Sequence, residues 1–158
     1  MGELQKNTSL LGVDINGSYR VIVFGMTNES MARGDFKAKV KDIDVLSDLI
    51  RSRISKAKIH NDLDKIVVIQ EVEREQTQEE YRKSIKKIAE QVQADVARYN
   101  KYLKIKAGAG RVVDGIINLP ESFKEANEAF MFVDVAGETP EDGGPQVMLF
   151  ADLGIFKL

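Results

Sequence analysis

Tyr19-Arg20-Val21-Ile22-Val23-Phe24 is the strongest strand signal in this chain. β-Branched and aromatic residues dominate it, and so continuous an apolar run implies burial on both faces. Upstream, Leu11-Gly-Val-Asp-Ile15 reads as a weaker strand, and Asn16-Gly17 between the two is a turn signal. Downstream, residues 28–41 are polar, contain Gly34 and read as a loop.

Helical spacing begins beyond that loop. Ile43, Leu46, Leu49, Ile50 and Ile54 recur at three- and four-residue steps and define one face, with Asp42 or Asp44 as candidate caps. Residues 57–69 read as a hairpin around Asn61-Asp62-Leu63-Asp64, with Lys65–Ile69 its firm strand and Lys58–His60 its weak one. Thr77-Gln-Glu-Glu80 has capping-box spacing. Tyr81, Ile85, Ile88, Ala89, Val92, Val96 and Tyr99 then form a long apolar stripe. Lys104–Ala107 returns to strand. Ser122-Phe-Lys-Glu125 has the same capping spacing, with Phe123, Ala126, Phe130 and Val133 on one face. Residues 138–146 form a loop rich in proline and glycine, and Val147–Phe150 a last strand.

The order β-α-β-β-α-β-α-β predicts a ferredoxin-like α+β sandwich: a mostly antiparallel sheet with helices on one face, extended by one helix and one strand. A chain of 158 residues fits a single domain, residues 1–158. It contains no cysteine, which excludes disulfides, thiolate metal sites and a Cys nucleophile and fits a cytoplasmic location. The polar start is not a signal peptide, and no apolar run approaches the ~18 residues that span a bilayer. A net charge of −2 gives no general attraction to nucleic acid. Basic residues concentrate between Arg82 and Arg111, preceded by acids from Glu71 to Glu80. A solvated helix face and an acidic helix start account for both.

Sites for chemistry are excluded one by one. Gly108-Ala-Gly110 follows a strand, but Val113 stands where a dinucleotide fingerprint needs its third glycine. The glycines read instead as places of close backbone approach or positive φ. No phosphate-binding GxxxxGK stretch occurs. His60 is the single histidine, and Asp62 and Asp64 beside it are ordinary turn residues. Ser122 has no base nearby in sequence, and Glu79-Glu80 point to different sides of their helix. Asp142-Gly-Gly144 has letters in common with the diguanylate cyclase signature but in the wrong order and place. The predicted hairpin at Asn61–Asp64, where that signature would stand, has no Gly-Gly. No catalytic, cofactor-binding or metal-binding residue is assigned, and no cofactor is expected.

Three stretches together carry a resemblance. Ala107-Gly108-Ala-Gly110-Arg111, then Ser122-Phe-Lys-Glu125-Ala126-Asn-Glu-Ala129, then Leu149-Phe-Ala-Asp152-Leu153-Gly154 are similar to the central GGDEF-like domain of CdaR/PucR-type bacterial transcription regulators. Leu11–Ile15 with Tyr19–Val21 resembles that family's opening strand. The resemblance implies a nucleotide-cyclase-like fold without its catalytic turn, hence no enzyme activity. It implies the middle of a longer regulator, with effector sensing upstream and a helix-turn-helix downstream. On that reading the partners are a second copy of the chain, DNA through another domain, and a small-molecule effector, with no membrane. The alternative is that this domain itself binds a diacid or purine-pathway metabolite, with Arg111 meeting a carboxylate.

Overall fold

A computed structural model describes residues 15–27, 36–73, 76–136 and 144–155. The elements are β1 (Ser18–Met26), α1 (Phe36–Arg53), β2 (Ala57–Asp62), β3 (Lys65–Val72), α2 (Gln78–Tyr99), β4 (Ile105–Ala109), β5 (Val113–Asp114), α3 (Leu119–Ala136) and β6 (Gln146–Leu149). Short 3-10 turns cover Ile116–Asn118 and Phe150–Ile155. The sheet order is β2-β3-β1-β4-β6, with β5 also on β1. Every pairing is antiparallel except β4 with β6. This is the expected mixed architecture on a mostly antiparallel sheet.

β1 is buried along its whole length. Its alternate side chains feed two cores. Ile22, Phe24 and Met26 face α1 and α2, where Ile43, Leu46, Ile50, Ile85, Val92 and Val96 close over them. Val21 and Val23 face the opposite way, toward Ala126 and Phe130 of α3. The expectation of helices on one face therefore holds for α1 and α2, while α3 covers the second. The two-sided burial read from Tyr19–Phe24 requires such a second layer.

Other elements depart from the sequence reading at their ends. α1 begins at Phe36, so the expected loop gives way to helix there and Asp42 and Asp44 lie mid-helix rather than at a cap. Lys37, Ala38, Lys39 and Lys41 are good helix formers whose polarity mimics a loop. Of the expected strand Leu11–Ile15, residues 11–14 lie outside the described residues, as does most of the loop over 138–146, and Ile15 lies in a turn. α2 carries the expected capping box: Thr77 Oγ1 accepts from the Glu80 N–H at 3.2 Å, and the Thr77 N–H donates back to Glu80 Oε1 at 3.5 Å. Its stripe is buried from Tyr81 to Val96, but Tyr99 is exposed. α3 starts at Leu119, so Ser122 and Glu125 are interior helical residues and form no capping box. Both are buried with Ala126, Ala129, Phe130 and Val133, whereas Phe123 turns outward.

Candidate functional site

The signature residues converge where β4 meets α3. Gly108 and Gly110 lie directly under the helix. A Cβ on Gly108 would fall on the backbone of Phe130, and one on Gly110 on the Ser122 carbonyl. Close approach is the reason for glycine here; positive φ is confined to Gly115 among the described glycines. Beyond Ala109 the β1–β4 ladder ends, and a side chain replaces it. The Val21 C=O still accepts from the Gly110 N–H at 3.0 Å, while the Val21 N–H donates to Ser122 Oγ at 3.0 Å. The Ser122 hydroxyl in turn donates to the Arg111 C=O at 2.9 Å.

Glu125 completes this knot. Its carboxylate accepts from the Arg111 backbone N–H at 3.0 Å, from Nε at 3.1 Å and from Nη2 at 2.5 Å. The hydrogen bonds and charge of Glu125 push the Arg111 guanidinium up from its ordinary range. Arg111 also lies 5.2 Å over the Phe150 ring. Its forked donor face is directed at Glu125, so the structure places Arg111 as a strand-to-helix tie. Asp152 makes a comparable tie elsewhere, bound bidentately by Arg82 of α2 at 2.7 and 2.9 Å. Leu153 beside it is buried, and Gly154 lies in the same 3-10 turn. The expected solvated face holds for Lys83, Lys86 and Lys87, which are exposed, but not for Arg82.

The hairpin predicted at Asn61–Asp64 is β2–β3. Its loop is Leu63-Asp64, with Leu63 in left-handed backbone (φ 54°) and 92% exposed. Gly25 of β1 pairs with Lys65, so the end of β1 adjoins this loop. That end is Phe24-Gly-Met-Thr27, which offers no carboxylate. Among the described residues no group of three or more His, Cys, Asp or Glu is placed to hold a metal ion. Lys65 and Lys106 instead flank the Phe130 ring, at 5.5 and 4.5 Å.

Two features escaped the sequence reading. Arg20 is 2% exposed, on the α2 side of β1. It donates to Gln70 Oε1, the Tyr81 C=O and Ser84 Oγ at 2.9, 3.2 and 2.9 Å, and burial pulls its guanidinium down to about 10. A lone Arg inside an apolar strand was the available signal. The second is an open cavity of about 360 Å3 on the α3 side of the sheet, lined by Tyr19, Lys56, Lys58, Ile69, Glu71 and Leu119 among others. Its walls come from four segments far apart in sequence, so no local motif announces it.

Known proteins with this fold include nucleotide cyclases. The chain is similar to the active GGEEF domain of a diguanylate cyclase from Vibrio cholerae, at 14% identity and TM-score 0.57, covering 92% of this chain and 88% of that one. It is also similar to a diguanylate cyclase/phosphodiesterase from Caldicellulosiruptor saccharolyticus, at 14% identity and TM-score 0.52, covering 94% and 86%. At such identity these likenesses establish the fold alone. No curated protein matches the sequence. The family profile described as GGDEF-like domain matches residues 2–131, and the chain belongs to that GGDEF-like domain family.

Proposed function

We propose that this chain is a non-catalytic signalling domain of a CdaR/PucR-type bacterial transcription regulator, one that self-associates and relays effector sensing to DNA binding by a separate domain. One observation carries the reading: the hairpin that would bear the cyclase turn closes in two residues, Leu63-Asp64, beside a β1 end without a carboxylate. Binding a divalent cation against a nucleoside triphosphate needs converging oxygen ligands, and among the described residues this corner gathers no such cluster around Asp62 and Asp64 but places lysines around Phe130. The signature residues Gly108, Gly110, Arg111, Ser122 and Glu125 support the same reading, since all serve packing between β4 and α3. Incubation with GTP and magnesium is expected to yield no cyclic dinucleotide; turnover would overturn the proposal. A full-length gene product lacking any DNA-binding module would overturn the regulator context.

A second reading rests on the cavity. Its volume lies in the range of small-ligand sites, and Lys56 and Lys58 line it with one acid, Glu71, and with Tyr19, Ile69 and Leu119. This suits an anion with an apolar body, in keeping with a domain that binds its own diacid or purine-pathway effector. Calorimetric titration with such compounds should give saturable heat that Lys58→Ala reduces; no heat from any of them removes this reading.

A further inference from the structure

Among the described residues β2 is an unpaired edge of the sheet, and it carries a self-complementary charge pattern. Lys56-Ala-Lys58-Ile-His60-Asn-Asp62-Leu-Asp64 spans β2 and its two flanks. Outward from His60, each lysine is matched by an aspartate at the same distance on the other side. Within β2, positions 58, 60 and 62 follow the two-residue period of one strand face, with Lys56 and Asp64 just beyond its ends. Lys58, His60 and Asp62 are exposed, and Leu63 at the tip is 92% exposed.

The backbone agrees with the side chains. The hairpin closes at the pair Asp62–Lys65, and the Glu71 N–H donates to the Lys56 C=O at 3.0 Å. Residues 56, 58, 60 and 62 therefore exchange their hydrogen bonds with β3. By the alternation of an antiparallel ladder, Ala57, Ile59 and Asn61 turn their N–H and C=O groups outward. Resting on the self-association in the proposed function, we propose that two copies of this chain join through β2, antiparallel, about a two-fold axis at His60. In that register Ile59 exchanges backbone hydrogen bonds with Asn61 of the second copy. Lys58 stands across from Asp62 on both sides of the axis. Shifting by one residue sets the lysine face against the opposite face. Shifting by two sets Lys58 against His60 in one direction and His60 against Asp62 in the other. Within the strand, this register alone places Lys58 opposite Asp62. The two sheets then form one continuous sheet with an isologous contact.

Sedimentation equilibrium of the wild-type chain is expected to show a dimer. Lys58→Asp sets one carboxylate against another, that of Asp62, twice across the axis and should raise the dissociation constant about ten-fold or more. Adding Asp62→Lys to that variant reverses both charges and should restore the dimer. The chain has no cysteine, so His60→Cys tests the axis directly. Residues facing each other in a non-hydrogen-bonded pair come within disulfide reach, so His60→Cys should oxidise to a covalent dimer, and Lys58→Cys should not. A wild-type chain monomeric at all concentrations overturns both this surface and the self-association proposed above. A dimer indifferent to the charge reversals, with no His60→Cys cross-link, overturns this surface alone.

Discussion

At Gly108 a hydrogen atom is the largest side chain that fits, because the backbone of Phe130 occupies the space a Cβ would need. The obstructing atoms are not a flexible side-chain end, so Gly108→Ala must separate β4 from α3. A loss of about 3 kcal/mol is expected, read from urea unfolding. Ser122 presents a different case. Its hydroxyl terminates the N–H of Val21, which is 1% exposed. Ser122→Ala leaves that donor unpaired and should cost about 1–3 kcal/mol by the same measurement. These positions were legible as a set but not in their roles. Ser-x-x-Glu spacing is shared by a capping box and by two buried neighbours on one helical face. Leu119 and Pro120 start the helix earlier and decide for the second. The role of Ser122 depends on Val21, a residue 101 positions away, which no local pattern encodes.

At the level of elements, the surest features were those whose signals are local. Thr77-Gln-Glu-Glu80 makes the capping box its spacing announces, and Thr77→Ala should lower the unfolding free energy by about 1 kcal/mol. The pairing of α1 with α2 was not legible, since Arg53 and Asp95 meet only in three dimensions. The Arg53 guanidinium donates to Asp95 at 2.7 and 2.9 Å and, with its charge, holds that carboxyl below the ordinary range despite partial burial. A carboxyl whose pKa is lowered by folding adds stability above its unfolded value, lost as pH falls through its folded value. Arg53→Ala should therefore move the Asp95 titration upward in NMR and leave a shallower acid limb in the pH–stability profile. Helix boundaries proved harder than helix faces. The face of α1 follows from Ile43, Leu46 and Ile50, whereas its first turns are lysine-rich and the apolar Val40 among them is exposed. Gln93 was equally silent in sequence: buried on α2, it donates to the Leu103 C=O and accepts from the Ile105 N–H, fixing where β4 begins.

Across the whole molecule, the two layers on the sheet differ in how they are attached. α1 and α2 meet it through branched and aromatic side chains, which can shift and repack. α3 rests on it through glycine hydrogens, Ala126 and Ala129, with Ser122 and Glu125 tying the helix to β1 and to the end of β4. At Gly108 and Gly110 backbone is pressed on backbone with no side chain between. β4 and α3 should accordingly behave as one rigid plate. In native-state hydrogen exchange their amides are expected to open together, at a free energy above that of α1. Force applied to α3 would then be transmitted to the central strands with little give.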